Sequence, residues 1–367
     1  MSALTQAEAI MTLGALRGLG PIRIGRLLEA FGGDAAAALA ASRRRLEEVP
    51  DIGPGTAETI ANWRGAFDPQ KEEEALAKLG ARYVLKGEEG YPKKLATLPG
   101  VPHGLYIKGT FPQGAALAIV GTRRPTLYGR AQARLFAGTL SRAGIAIVSG
   151  LARGIDGEAH TGALEGGRTA AFLGCGLDVI YPPEHADLYG KIAASGAVLS
   201  EFPLGHQPDA QTFPRRNRLI SGASDALFVV ESDEKGGSMI TARCAAEQGR
   251  TVYALPGRVD QPSSRGCHAL IRDGATLVTH PLQILDELRG DTLAENPRQE
   301  EISFAAPPSL SGDETLVYAR LSDGAILPPE ALARETGLSQ QAALAALMML
   351  ELKHLVRRRP DSSYERR

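Results

Sequence analysis

The chain has 367 residues, more than one ordinary core accommodates, which predicts two or three domains. Hydrophobic residues make up 43% and charged residues 23%, an ordinary globular mix, and the net charge of −1 restricts any attraction for a polyanion to a local patch. The three cysteines (Cys175, Cys244 and Cys267) are widely spaced without a CxxC, which argues against a disulfide framework or thiolate zinc site, and the absence of a signal-peptide pattern or an apolar run of ~18 residues predicts a soluble protein of a reducing cytoplasm without a membrane anchor.

Residues 1–68 read as short helices joined by Gly-Pro turns. GLGPIRIGRLL (Gly18 to Leu28) is echoed by DIGPGTAETIA (Asp51 to Ala61), and each turn leads into a helix with apolar spacing of three and four. The pair resembles the helix-hairpin-helix motif, in which a glycine and helix N-terminal amides hold a DNA phosphate. The alternative is a small bundle whose Gly-Pro pairs only end one helix and start the next.

From about 80 to 290 the texture changes. Strand-length apolar runs occur at Leu117 to Val120, Ile145 to Val148, Thr169 to Leu173, Val198 to Leu199, Ala226 to Val230, Thr251 to Leu255 and Thr276 to Val278. Amphipathic stretches such as Arg130 to Ala143, Ile155 to Glu165 and Met239 to Gln248 lie between them. Continuous apolar strands alternating with helices predict a Rossmann-like, mostly parallel α/β sheet covered on both faces. Ligands of such sheets bind at the strands' carboxyl ends, where most of the glycine-rich turns fall. Residues 291–309 are polar, acidic and proline-containing and read as a linker. Beyond them, a helix Pro329 to Glu335, a Gly337 turn, a helix from the N-cap Ser339 to Leu352 and a strand in HLVRR predict a winged-helix-like domain over 310–367. Its second helix is nearly all Ala, Leu and Met, which favours protein contact or structure over base reading, with Arg357, Arg358 and Arg359 as a phosphate-contacting wing.

Four motifs of the middle region carry chemistry. GTRRPTLYGR follows a strand and opens a helix. Gly121 allows close approach, Thr122 and the next amides suit phosphate oxygens, and Arg123, Arg124 and Arg130 add fork-shaped cations. SGLARGIDGEAH offers Ser149, Gly150, Arg153 and Gly154 as a second anion loop. Its Asp156 and His160 share a helix face but lack a third ligand, so a structural polar pair is expected rather than a metal site. FPRRNRLISGASD is read as a basic loop that sets Phe213 beside Arg215, Arg216, Asn217 and Arg218, cations for a backbone and a ring for a base. The alternative there is an arginine paired with Glu201 or Glu231. EKGGSMITARCAAEQGR has Gly236, Gly237 and Ser238 opening a helix that carries Thr241, again an anion cradle. It is not a Walker A loop, GCGLDV lacks the third glycine of a dinucleotide fingerprint, and no GxSxG, HExxH or paired-carboxylate pattern is present, so no cofactor is expected.

Taken together, IVGTRRPTLYG, IVSGLARGIDGEAHTGAL, GGRTAAFLGCGLDVIYPPEH, LSEFPLG, FPRRNRLISG, GGSMITARCAAEQGR and ALPGRVDQPSSRGCHALIRDGA resemble the DprA (DNA processing protein A, or Smf) family over about residues 90–280. The resemblance implies a protein that is not an enzyme. It would bind single-stranded DNA, protect DNA taken up in natural transformation, load the RecA recombinase, and form homodimers through the Rossmann-like domain. It places the DNA pocket on Gly121 to Arg123, the Ser149–Gly154 loop, the Arg-Asn-Arg segment and the Gly237-Ser238 helix start. The family's usual Ser-Gly-Ser is here Gly236-Gly237-Ser238, one hydroxyl fewer with the amides kept. Two other function classes stay in view: a nucleotide-phosphate hydrolase of lysine-decarboxylase-like fold, whose PGGxGT signature is not matched at Lys235 to Met239, and a protein adaptor working through the apolar C-terminal helices.

Overall fold

The computed structural model describes residues 4–289, 310–322, 325–353, 355–359 and 362–366; the linker expected at 291–309 lies outside the described residues. Those described form two compact units, one on each side of that stretch.

In the first unit, helices Gln6–Ala15, Pro21–Ala30, Ala35–Ala40, Arg43–Glu47 and Pro54–Ala61 pack around Leu13, Leu27, Leu46, Ile60 and Trp63. The two Gly-Pro repeats do the same job twice. Gly20 and Gly53 are extended N-caps, and Pro21 and Pro54 start the helix where a missing N–H costs nothing. This bundle is packed directly onto the sheet: Met11 and Leu76, on helix Pro69–Leu79, share a cluster with Tyr106 and Leu173 of the strands.

The sheet has nine strands: β1 (Ala81–Leu85), β2 (Gly104–Gly109), β3 (Ala116–Val120), β4 (Ala146–Ser149), β5 (Thr169–Leu173), β6 (Ala197–Ser200), β7 (Ala226–Val229), β8 (Thr251–Ala254) and β9 (Thr276–Leu277). Their order is β1-β2-β6-β5-β4-β3-β7-β8-β9. The seven from β6 to β9 run parallel, as the apolar runs predict, while β1 and β2 add an antiparallel edge through Ile107↔Leu199 and Val84↔Leu105. Every residue of β3 is buried. Ala116, Ala118 and Val120 face a core with Leu219, Ile220 and Ala242, and Leu117 and Ile119 face another with Phe136, Ile155 and Phe228. Helices Leu127–Arg142 and Ile155–Leu164 thus cover one face and helices Thr212–Gly222 and Gly237–Glu247 the other.

The chain leaves β3 for β4, β5 and β6 on one side, then returns to β7, β8 and β9 on the other. Beyond Val120 and Val229 the connections therefore diverge to opposite faces and open a crevice at the carboxyl ends of β3 and β7, the place where doubly wound sheets take ligands.

The second unit has helices Gly312–Arg320, Pro329–Thr336 and Gln340–Leu352 and an antiparallel pair β10 (Val356–Arg358) and β11 (Tyr364–Arg366), a winged helix. Gly337 ends the middle helix at φ 72° and Ser339 caps the next. Ala343, Ala346, Leu347 and Leu350 are buried, whereas Leu344, Met348 and Leu352, spaced by four, are exposed. In the wing, Arg357 and Arg359 both pair with Glu365.

Candidate nucleic-acid interface

A cleft of about 710 Å³ occupies the crevice, lined by Gly121, Thr122, Arg123, Asp156, Tyr181, Asp209, Phe213, Arg216, Asn217, Ser232, Asp233, Gly237, Ser238 and Thr241 among others. Its parts come from the ends of β3, β5 and β7 and from two helices. Ten residues singled out in the sequence as ligand contacts meet here: Gly121, Thr122, Arg123, Phe213, Arg216, Asn217, Gly236, Gly237, Ser238 and Thr241.

The GTRRPT loop is built differently from the expected amide cradle. The Thr122 amide donates to the Glu231 carbonyl at 2.7 Å, the Arg124 amide to Thr122 Oγ1, and the Thr126 amide and hydroxyl to the Glu231 carboxylate at 2.9 and 2.6 Å. Thr126 in turn caps helix Leu127–Arg142. The anion at this helix start is therefore Glu231, and the loop presents the Arg123 side chain to the cleft. Gly121 is required for packing: a Cβ there would lie 2.5 Å from Ile155 Cγ1 and 2.8 Å from the Glu231 carbonyl oxygen.

FPRRNR is not a loop but the first turns of helix Thr212–Gly222. Asp209 Oδ1 accepts from the Gln211 and Thr212 amides at 2.6 and 2.9 Å, and Pro214 sits in the first turn, where its missing donor has no partner to lose. The helical turn separates the arginines. Arg215 is exposed. Arg218 pairs with the buried Glu201 at 2.5 Å and donates to the Gly100 carbonyl, so it fulfils the carboxylate-paired alternative and does not line the cleft. Arg216 points inward and is only 3% exposed. Its Nε and Nη1 have no hydrogen-bond partner. Burial holds its guanidinium below the ordinary value, opposed by the attraction of Asp156.

The SGLARG loop supports this arginine from behind. A Cβ on Gly150 would overlap Arg216 Nη1, so the glycine makes room for the guanidinium. Ser149 donates to the Ile119 carbonyl at 2.6 Å and is fully buried. Asp156 Oδ2 accepts from the Gly150 and Ala152 amides, and His160 Nε2 accepts from the Leu151 amide while its Nδ1 meets Thr169 Oγ1. Burial pushes the Asp156 carboxyl up and His160 down to about 3, which keeps the imidazole neutral. The two side chains do not bond each other: each holds backbone amides of the loop, and Asp156 also lines the cleft. Arg153 pairs with Glu184 outside the cleft lining, and Gly154, at φ 79°, lets the loop pass under the Thr122 carbonyl.

Helix Gly237–Glu247 faces the arginines. Its N-cap Gly236 offers no side chain, so its first amides are uncapped, and Ser238 Oγ donates to Ser232 Oγ at 2.8 Å. Asn217 Nδ2 holds the Gly237 carbonyl at 3.3 Å. Between the two sides lies Phe213, with Arg123 Cζ 4.9 Å and Arg216 Cζ 6.0 Å from its ring centroid and the Tyr181 ring 5.7 Å away. Tyr181, Asp156 as the partner of Arg216, and the rim carboxylates Asp209 and Asp233 were not singled out as ligand contacts from the sequence. The recoverable signal was the phase of Arg216, which falls on the same helical stripe as Leu219, Ile220 and Ala223.

Among the described residues no group of three or more His, Cys, Asp or Glu is placed to hold a metal, and no helix is long and apolar enough to cross a membrane.

Two family profiles match the chain, DNA recombination-mediator protein A over residues 82–289 and the DprA winged helix domain over residues 303–362. Protein Smf of Escherichia coli (strain K12) is 40% identical over 279 residues, 72% of each chain. Protein Smf of Synechocystis sp. is 33% identical over 392 aligned positions, 96% of each chain. Of solved structures, DNA processing protein A from Streptococcus pneumoniae superposes with a TM-score of 0.66 at 32% identity, covering 78% of this chain and 99% of its own. DNA processing protein A from Helicobacter pylori, whose structure concerns its single-stranded DNA binding mode, gives 0.52 at 32% identity, covering 58% and 98%.

Proposed function

Since the chain belongs to the DNA recombination-mediator protein A family, we propose that it binds single-stranded DNA in the crevice between β3 and β7 and acts there without catalysis. The observation that carries this reading is Arg216, a guanidinium 3% exposed whose Nε and Nη1 lack partners although it lines an open cleft. A buried charge with unmade hydrogen bonds is costly, and a phosphate oxygen supplies both the countercharge and the acceptors. Arg123 adds a second cation, the uncapped start of helix Gly237–Glu247 adds amides, and Phe213 adds a face for a base. A duplex presents its bases stacked on each other, so the ring favours a strand that is already open. With this goes the wider role proposed for the chain: protecting DNA taken up in natural transformation, handing it to the RecA recombinase, and pairing as a homodimer through the sheet-bearing unit.

A salt titration of binding to single- and double-stranded oligonucleotides of equal length tests the reading. Affinity for the single strand should exceed that for the duplex and fall linearly on a log–log plot, by roughly 0.7 of slope per phosphate neutralised. Arg123→Ala should weaken binding and flatten the slope by about one such step. Equal affinity for both forms, or an unchanged slope in Arg123→Ala, removes the proposal.

A further inference from the structure

Phe213 does not stand alone on its wall. Tyr181 follows β5, and its ring centroid lies 5.7 Å from that of Phe213 with the planes 43° apart. Arg123 covers Phe213 at 4.9 Å, and Arg153 covers Tyr181 at 6.0 Å. The four side chains form a ladder of cation, ring, ring, cation, and both rings line the cleft. Each end is fixed from outside. Gly174 admits the Phe213 ring, since a Cβ there would lie 3.0 Å from its Cδ1, and Glu184 Oε2 holds Arg153 Nη2 at 3.0 Å. Neither ring is fully buried, so each keeps surface for a ligand. A lone core aromatic has no use for flanking guanidinium groups, Arg123 in the cleft lining and Arg153 beside it, whereas a run of unpaired nucleotides presents phosphates and π-faces in alternation.

We infer that Tyr181 is a second base platform, so that the cleft seats two neighbouring unpaired nucleobases of one strand, one on Phe213 and one on Tyr181. The inference rests on the single-strand reading above and adds to it the unit that is recognised, a dinucleotide step rather than a single base. Arg153 acts through Tyr181 as a positioning residue.

The test compares an oligo-dT with an oligomer of the same length made wholly of abasic sugar-phosphate, by fluorescence anisotropy on the full chain. Tyr181→Ala should weaken oligo-dT binding on the order of tenfold, the scale of one lost base stack, and leave abasic binding as it was. Tyr181→Phe should restore oligo-dT binding, because the ring and not the hydroxyl is the platform. An equal loss on both oligomers overturns the inference, since a purely structural tyrosine would act on both. No loss in Tyr181→Ala while Arg123→Ala is weakened also overturns it and leaves the single-strand reading standing. No loss in either variant overturns both.

Discussion

Arg216 occupies a helical position that packing alone would give to an aliphatic side chain. It lies in phase with Leu219, Ile220 and Ala223, yet it carries a charge beside the buried Asp156. Burial works against both charges and their attraction works for them, with the Gly150 and Ala152 amides also favouring the carboxylate. The balance leaves Asp156 raised above the ordinary carboxylate range. A carboxyl raised in the folded state stabilises the fold in its protonated form, so that contribution is complete at acid pH and is lost as pH rises through the raised value. Arg216→Met removes the attraction, pushes Asp156 further up and deepens the loss on the alkaline side. The variant should therefore unfold below the wild type by a margin clearly larger at about pH 8 than at about pH 5. Thermal unfolding across that range measures it, and an equal deficit at both ends would uncouple Asp156 from Arg216.

At the scale of elements, the cleft is two loops and two helix starts locked together by close contacts at glycine. Gly150 is the clearest case, because its missing side chain is the space that Arg216 Nη1 occupies. Gly150→Ala should expel the guanidinium and weaken oligonucleotide binding on the order of tenfold, the scale of a charge-assisted hydrogen bond. Gly190, exposed on helix Ala186–Ser195 with nothing within 4 Å of an added Cβ, is the control. Gly190→Ala should leave binding alone and raise stability by about 0.5–1 kcal/mol through helix propensity. Anisotropy and thermal unfolding of the two variants separate the roles, and equal binding losses would show that Gly150 is not specific to the site. The same elements explain what could be read from the sequence. β3, β5 and β7 announce themselves because a parallel strand buried on both faces is a continuous apolar run. β1 does not, because the edge strand Ala81–Leu85 has only Val84 buried and its residues follow no run, and β2 does not, because its apolar run Leu105–Ile107 is only three residues long. Thr212–Gly222 reads as a loop because Pro214 and three arginines mask a helix whose apolar stripe begins with a charge. Arg123 and Phe213 are legible from their own motifs, whereas Tyr181 reaches the cleft only through the topology that brings the end of β5 near that of β3.

For the whole molecule, the division into two compact units separates two kinds of surface. The cleft lies entirely within residues 120–241, and none of its lining comes from the winged helix. In that second unit the helix placed to read DNA exposes polar side chains only near its ends, at Gln340, Gln341 and Glu351, and otherwise a stripe of Leu344, Met348 and Leu352, and the wing arginines Arg357 and Arg359 are already paired with Glu365. Such a surface leaves only the two glutamines at the helix start for base-edge hydrogen bonds, and its apolar stripe suits a protein contact. A chain ending at residue 289 should accordingly bind oligo-dT with the affinity and salt slope of the full chain, because it keeps every cation and ring of the cleft. On the proposed recombinase-loading role, it should be weaker in recruiting recombinase to coated DNA, as should the full chain carrying Met348→Glu, which puts a charge in the middle of the stripe. Filter binding for the first quantity and recombinase filament assembly for the second read the two surfaces independently. A truncated chain that loses oligo-dT binding while its sheet-bearing unit still unfolds cooperatively would move part of the DNA site into the winged helix.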